Sequence, residues 1–138
     1  MRITCAIFFK NRDSLIVIRE SLMARPHQNL DAWQQAMRLV KMTCLVTQAF
    51  SKEALYGLTA QMRRAAISMP STLAEGAARS SKKEFAQFIS ISKGSLSELE
   101  TQMLIAAELE YMSLEHEIFT HLDRVGQLLS GLHRNVKI

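Results

Sequence analysis

One continuous stretch, from Tyr56 to Gln102, constrains the fold of this chain more than any other feature. Its apolar residues recur at alternating steps of four and three, a pattern that places them along one side of an α-helix. The pattern breaks at Arg79-Ser80-Ser81 and then resumes with the same period. The stretch therefore predicts two long helices that fold back on each other through a tight turn.

The same period runs through four segments of the chain. A mean step of about 3.5 residues is typical of helices packed nearly parallel or antiparallel to one another. Apolar flanking positions widen each stripe, as a bundle core requires and a lone coiled coil does not. The stripes are, in order, Trp33, Met37, Val40, Cys44 and Thr47; Leu55, Leu58, Met62, Ala65, Met69 and Leu73; Phe85, Ile89, Ser92, Leu96, Leu99, Met103 and Ala106; and Ile118, Leu122, Val125, Leu129 and Leu132.

Short connections separate these segments, near residues 50–52, 79–81 and 111–113. The residues from Ser81 to Glu84 form a capping-box pattern at the start of the third helix. Ser51 and Ser113 are candidate N-caps of the second and fourth helices. Because connections this short make consecutive helices antiparallel, the sequence predicts an all-α fold. The predicted architecture is an antiparallel up-down-up-down four-helix bundle over residues 23–138.

Two features interrupt this regularity. Pro70 lies inside the second helix, where a proline costs roughly 3 kcal/mol and frees the carbonyl four residues back. The apolar stripe nevertheless continues in phase from Met69 to Leu73, so we expect a helix that kinks and resumes. Gly76, near the end of that helix, is a candidate left-handed cap. Gly94-Ser95 in the third helix predicts a notch that would let another helix approach closely.

Residues 1–22 require a separate interpretation. Their apolar run, Ile3 to Phe9, is interrupted by Lys10 and further charges, whereas a membrane span needs ~20 apolar residues. No small-residue cleavage site follows the run, which argues against a signal peptide. We therefore predict an N-terminal extension outside the bundle, no membrane association and a cytoplasmic location.

The chain shows no constellation of residues that would carry catalysis or bind a metal. His116 and His121 are five residues apart, on different faces of a helix, and so make a poor metal pair. Glu98 and Glu100 differ by two and fit solvated or salt-bridged carboxylates better than an acid–base pair. Neither a Glu-x-x-His pair nor a glycine-rich phosphate loop occurs. We predict that the protein is not an enzyme and has no cofactor or metal.

Charge is unevenly distributed between the two ends of the predicted bundle. The basic end gathers Arg25, Arg79, Lys82, Lys83, Arg134 and Lys137, and the acidic end gathers Glu53, Glu108, Glu110, Glu115 and Glu117. Lys82 and Lys83 oppose the dipole at the start of the third helix, each at a cost of about 0.3–1 kcal/mol. Two interpretations stay open: solvated bundle ends, or charged surfaces that bind partners, with the basic one suited to phosphate or an acidic protein.

An arginine pair, Arg63-Arg64, lies mid-helix beside the apolar stripe of the second helix. In an antiparallel hairpin that turns near residue 80, this pair comes level with Leu96 to Glu98. Glu98 and Glu100 are therefore candidate partners, and we predict a structural salt bridge between the two helices. Contact with RNA is the alternative role of the arginine pair.

The segments DAWQQAMRLV, residues 31–40, and residues 56–102 carry a family resemblance. They resemble the bacterial four-helix-bundle proteins encoded in intervening sequences of the 23S ribosomal RNA gene, and the resemblance extends over about residues 30–132. The same family includes the accessory variability determinant proteins of diversity-generating retroelements. Two positions depart from the family pattern: Thr72 stands where asparagine is usual, and Ser51-Lys52 replaces a proline-containing loop.

The resemblance implies a ring-shaped homopentamer with a central channel. For the accessory proteins it also implies binding of nucleic acid and of a reverse transcriptase through basic surfaces. In this chain the predicted nucleic-acid-binding residues lie at the basic end and are Arg79, Lys82, Lys83, Arg134 and Lys137. Two function classes stay open: a nucleic-acid-binding or ribonucleoprotein accessory scaffold, and a protein-interaction oligomer without a nucleic-acid role.

Overall fold

The computed structural model describes residues 25–137, and every regular element within them is helical. A short 3₁₀ turn, Pro26–Asn29, precedes helix α1, Asp31–Gln48. A 3₁₀ turn, Lys52–Ala54, and a π-helical turn, Leu55–Thr59, lead without interruption into α2, Ala60–Ala77. Helix α3 is Lys82–Glu108 and helix α4 is Ile118–Lys137.

Each helix packs against its neighbours in the chain, and α4 packs against α1 to close the arrangement. The chain reverses direction at every connection, so the predicted all-α, up-down-up-down four-helix bundle is confirmed. Among residues 25–137, no helix is both long enough and apolar enough to cross a membrane. The predicted N-terminal extension, residues 1–22, lies outside the described residues.

The core follows the predicted stripes along the middle of the bundle. Met62, Leu99 and Val125 are fully buried, as predicted. Trp33 also belongs to a predicted core stripe, but it is only partly buried and packs against the edge of the core. Its ring meets His27 edge to face, with the ring centroids 5.3 Å apart. The core therefore consists mainly of aliphatic and methionine side chains, which pack efficiently between helices.

Helix α2 continues through Pro70, as the phase of its apolar stripe predicts. Side-chain hydroxyls donate hydrogen bonds to two carbonyls close to the proline in the chain. The carbonyl of Ile67 accepts from Ser71 Oγ at 2.8 Å, and the carbonyl of Met69 accepts from Ser92 Oγ of α3 at 3.0 Å. The second of these bonds also joins α2 to α3, so the proline turn is held within the bundle.

Gly76 is not the left-handed cap that the sequence predicts. No glycine in the described chain has a positive φ, and Gly76 is buried inside α2. A Cβ atom at this position would overlap the Cβ of Phe88 on α3. The absence of a side chain therefore lets the two helices approach each other closely near the basic end.

The predicted notch in α3 contains two residues with different environments. Ser95 is buried, and its hydroxyl lies 2.9 Å from that of Ser68 on α2. Gly94 is exposed, and a Cβ added to it would meet nothing within 4 Å. Packing within the chain therefore explains Ser95 but gives no reason for a glycine at position 94.

The predicted N-caps differ in outcome from one helix to the next. Ser81 caps α3 as predicted: its hydroxyl accepts from the Glu84 N–H at 3.1 Å and donates to the Glu84 carboxylate at 2.9 Å. Ser51 precedes the 3₁₀ turn but makes no side-chain capping bond. Ser113 was wrongly predicted to cap the fourth helix, because α4 begins at Ile118.

His116 accepts a hydrogen bond from the Ile118 N–H at 3.1 Å through Nδ1, so it satisfies a donor at the start of α4. Ser113 Oγ accepts instead from the Glu115 N–H, also at 3.1 Å, within the preceding turn. The connection between α3 and α4 therefore spans residues 109–117, rather than the short loop predicted near 111–113.

The end of α3 is closed by a paired hydrogen-bond motif. The Tyr111 N–H donates to the Ala106 carbonyl at 2.9 Å, and the Glu110 N–H donates to the Ala107 carbonyl at 3.0 Å. This is the Schellman arrangement, which places a residue in the left-handed region. Glu110 occupies that position with φ of 62°, where glycine is the usual residue. Tyr111 stacks on Phe50, with ring centroids 5.4 Å apart.

Candidate functional site

At the basic end of the bundle, a cleft of about 490 Å³ opens between the start of α3 and the end of α4. Residues from successive turns of α3 line one wall, and residues one turn apart on α4 line the other, because the helices run antiparallel. The lining residues are Lys82, Lys83, Ala86, Gln87, Ser90, His133, Val136 and Lys137.

One hydrogen bond and one close approach show how α3 and α4 align. Ser90 Oγ and His133 Nε2 are 3.1 Å apart and share a hydrogen bond. Further along the pair, a Cβ on Gly126 would lie 3.3 Å from Leu96 Cδ2. The glycine lets the helices approach in the middle of the bundle, and the Ser90–His133 bond fixes the imidazole at the cleft wall.

The polar lining of the cleft consists of hydrogen-bond donors and groups that can become donors. Three of the residues are lysines, and neither Asp nor Glu is among the lining residues in the described part of the chain. Desolvation, followed by the positive charges of Lys137 and Lys93, lowers the pKa of His133 below its usual value. The positive charges beside His133 therefore disfavour the protonated form of its imidazole.

The structure separates the five predicted nucleic-acid-binding residues into two groups. Lys82, Lys83 and Lys137 meet at the cleft, whereas Arg79 and Arg134 do not line it. Arg79 contacts two other residues instead. Its Nη2 lies 2.9 Å from the Glu75 carboxylate, and its guanidinium lies 5.1 Å from the ring centroid of Phe88. Arg134 is exposed on α4.

Three polar residues of the cleft were missed by sequence reasoning, namely Gln87, Ser90 and His133. A signal was present in the spacing, since Lys83, Gln87 and Ser90 follow one another at helical steps of four and three. The α4 residues could be added only with the register of α3 against α4, which the sequence does not define.

Within residues 25–137, the structure does not bring together the predicted salt-bridge residues Arg63, Arg64, Glu98 and Glu100. Arg63 lies on the side of α2 that meets α1, and its Nε donates to Thr47 Oγ1 at 2.9 Å. Glu98 accepts instead from Gln102 Nε2, one turn along α3, at 3.1 Å. Arg63 therefore joins α2 to α1 rather than to α3. Its partner is the neutral hydroxyl of Thr47 and not a carboxylate.

A second concave region lies at the acidic end, where the α3–α4 connection meets the end of α1. Its volume is about 400 Å³, and its walls are largely apolar. Leu45 lines it and is 55% exposed, and Leu114, in the same connection, is 61% exposed. The lining residues are Met42, Leu45, Val46, Ala49, Tyr111, Met112, Ser113, His116 and Glu117. We refer to this region as the apolar pocket.

The outer face of the α2–α3 hairpin is a third surface of interest. Ile67 and Ile91 are 49% and 53% exposed. Ile67 precedes Ser68 in α2, and Ile91 lies one turn before Ser95 in α3. The Ser68–Ser95 hydrogen bond joins the two helices, and a Cβ at the neighbouring Gly94 would meet nothing within 4 Å. We call the patch formed by Ile67, Ile91 and Gly94 the hairpin face. Exposed branched aliphatic residues next to an open glycine are typical of a surface that a further helix covers.

The two histidines that were weighed as a metal pair have separate structural roles. His121 is buried, with Nε2 lying 3.0 Å from the Gln35 carbonyl oxygen on α1, while His116 caps α4. In the part of the chain that the structure describes, no three residues among His, Cys, Asp and Glu are grouped so that they could hold a metal ion.

The described residues thus form a helical bundle whose surface carries a basic cleft, an apolar pocket and the hairpin face. Residues 28–131, most of the chain, match the 23S rRNA-intervening sequence protein family. The chain belongs to this family. None of the curated proteins matches it.

Proposed function

We propose that this protein is a cytoplasmic, non-enzymatic scaffold that binds RNA or DNA through its basic end. The observation that carries this proposal is the cleft in which Lys82, Lys83 and Lys137 converge with no carboxylate among the lining residues. Lysines at the first positions of a helix oppose the helix dipole, so they cost stability unless an anion is bound. A nucleic-acid phosphate supplies such an anion.

The chemistry of the cleft suits recognition of the phosphate backbone rather than of the bases. Ammonium groups contact phosphate oxygens without reading sequence, and such contacts release counterions and depend strongly on salt. Base stacking needs exposed aromatic rings, but aromatic residues make up only 7% of this chain. We therefore propose binding that is led by the backbone and has weak sequence preference.

We further propose that the protein is a homo-oligomer, and a pentameric ring in particular. The hairpin face supports a contact between copies, because it exposes Ile67 and Ile91 and leaves Gly94 open to a neighbouring helix. A head-to-tail contact that closes on itself produces a ring. Ring closure would repeat the cleft around one rim, and several weak phosphate contacts would then combine as avidity.

Binding is tested by titrating a structured RNA and a duplex DNA at several salt concentrations. With Lys82→Glu and Lys83→Glu combined, we expect affinity to fall at least roughly ten-fold and the salt dependence to become shallower. The matched control combines Lys52→Glu and Arg124→Glu, two exposed positions outside the cleft with the same change in charge. Absence of binding at low salt, or equal losses in both double variants, would contradict the nucleic-acid proposal.

Assembly is tested by light scattering at micromolar concentration. We expect a mass near five times the chain mass of 15.6 kDa, and a shift toward that chain mass when Ile91→Lys is introduced into the hairpin face. Leu114→Lys is the control, because Leu114 is more exposed than Ile91 but lies at the acidic end. A wild-type protein that runs as a monomer would rule out the ring.

A specific observation also favours the second candidate function, a protein-interaction oligomer without a nucleic-acid role. Exposed Leu45 and Glu117 both line the apolar pocket. This combination fits a protein partner with apolar and basic side chains. The reverse transcriptase that the family resemblance implies would bind through basic surfaces, so it belongs to the first candidate function and not to the apolar pocket. Binding of an apolar, basic peptide that depends on Leu45, with no nucleic-acid binding at low salt, would favour the second candidate.

A further inference from the structure

The cleft contains one group whose charge changes in the physiological range, and that group is His133. Among the side-chain types that line the cleft, imidazole is the one that ordinarily gains or loses its proton near neutral pH. Ser90 holds Nε2 of His133 at 3.1 Å. In the described chain, Nδ1 has no hydrogen-bond partner, so one ring nitrogen is held and the other is available for a ligand.

The charged groups around His133 come from both helices that form the cleft. Lys82, Lys83 and Lys93 belong to α3, and Arg134 and Lys137 belong to α4. The acidic residue of α3 that lies closest in sequence to these lysines is Glu84. Its carboxylate accepts a hydrogen bond from the capping Ser81. The surroundings of His133 are thus positive and oppose a further positive charge in the free protein.

We infer that a phosphate of the bound nucleic acid enters this cleft and that His133 takes up a proton as it does. The phosphate would place a negative charge among the lysines and reverse the sign of the local field at the imidazole. The protonated ring would then donate to a phosphate oxygen, a charge-assisted hydrogen bond that the neutral ring makes less strongly. This inference rests on the proposed nucleic-acid function and adds a proton to the binding reaction.

The direction of the pH dependence follows from linkage. Desolvation and the neighbouring lysines lower the pKa of His133 in the free protein, and a bound phosphate would raise it. Between these two pKa values the complex holds more protons than the free protein, so affinity rises as pH falls. A single site changes affinity by at most about ten-fold per pH unit, and the dependence is flat above both values and below both.

The experiment measures binding of an oligonucleotide that lacks terminal phosphates, since a phosphomonoester itself titrates near pH ~6. Affinity is determined by fluorescence anisotropy from about pH 8 to about pH 6 at constant ionic strength. Calorimetry in two buffers with different ionisation enthalpies then gives the number of protons taken up. We expect wild-type affinity to rise about three- to ten-fold over this range, with uptake of a fraction of a proton up to one.

The variant His133→Gln keeps a neutral donor at the cleft and removes the titration, so its affinity should be nearly independent of pH. His116→Gln, at the opposite end of the bundle, is the matched control and should behave like the wild type. Equal pH dependence in His133→Gln and wild type, or no proton uptake, would overturn the inference while leaving the nucleic-acid function standing. Absence of binding at every pH would instead remove the proposed function itself.

Discussion

The chain reverses direction at both ends of this bundle, but the backbone conformations that reverse it differ between the two ends. At the basic end, α2 ends at Ala77 and α3 begins at Lys82, with a short turn between them. Ser81 caps α3 through the Glu84 N–H, and the absence of a side chain on Gly76 brings the helices together. The backbone there is regular, and the polar cleft lies between well-defined helix ends.

The acidic end is built from less common backbone conformations. The π-helical turn Leu55–Thr59 precedes α2, Glu110 adopts a positive φ, and the connection 109–117 continues past the end of α3 before α4 begins. Of these segments, the 109–117 connection lines the apolar pocket, together with the end of α1. Leu114 of this connection and Leu45 of α1 are both exposed at this end.

This difference matches the kind of partner that each end suits. Phosphate groups are alike along a nucleic acid, so a regular array of ammonium groups on two helices can bind them without a shaped pocket. An apolar partner surface requires shape complementarity, which irregular loops and exposed leucines provide. Under the proposed functions, the basic end would therefore accept many equivalent phosphates, whereas the acidic end would accept one partner of matching shape.

The largest expected effect concerns close approach at the basic end. Gly76→Ala places a Cβ against the Cβ of Phe88, which belongs to the rigid start of that side chain and cannot rotate away. We expect α2 and α3 to be forced apart and the free energy of unfolding to fall by about 1–3 kcal/mol. Urea denaturation, followed by circular dichroism, measures this loss.

The matched control for this substitution comes from the acidic end. Gly57 lies in the π-helical turn, and a Cβ added to it would meet nothing within 4 Å. Because alanine favours helical conformations over glycine by about 1 kcal/mol, Gly57→Ala should be neutral or stabilising. A similar loss at both positions would show that the close approach is not special to the basic end.

The contrast between the ends also explains which features the sequence predicts. The period of the apolar residues predicts four helices and the burial of Met62, Leu99 and Val125, since every turn of a stripe repeats the same information. The capping box at Ser81 is predicted for a related reason, because its hydrogen bonds join residues three apart.

The failures lie where the conformation depends on distant or unusual contacts. His116 replaces Ser113 as the cap of α4 through a turn that no common capping pattern describes. Arg63 was assigned to partners on α3 because the side of α2 it occupies depends on the three-dimensional arrangement, and its actual partner is Thr47 on α1. His133 was missed for the same reason, since its place in the cleft depends on the register of α4.

A smaller effect is expected from removing the two candidate capping hydroxyls. Ser81→Ala loses the acceptor for the Glu84 N–H at the start of α3, and should lower the free energy of unfolding by about 1 kcal/mol. Ser113→Ala removes an acceptor within an exposed turn rather than at a helix start, so its effect should stay within about 0.5 kcal/mol. Thermal and urea denaturation of both variants measure the difference, and equal effects would contradict it.

The smallest expected effect is a gain in stability at the acidic end. Glu110 holds a left-handed conformation with φ of 62°, which costs a residue with a side chain roughly 1–2 kcal/mol. Glu110→Gly removes this cost, but glycine loses more backbone entropy on folding, by roughly 0.5–1 kcal/mol. The balance is a net stabilisation of about 0.5–1 kcal/mol, provided that the hydrogen bonds to Ala106 and Ala107 persist.

Urea denaturation of Glu110→Gly measures this balance, with Glu110→Gln as the control. Glutamine removes the carboxylate charge but keeps the side chain, so it should retain the backbone cost and give no comparable gain. If both variants were stabilised equally, loss of the carboxylate charge would be the cause, because it relieves both the repulsion among the glutamates of the acidic end and the unfavourable interaction with the C-terminus of α3. If neither were stabilised, the left-handed position would be compensated by contacts of the Glu110 side chain, and the acidic end would be less strained than its backbone indicates.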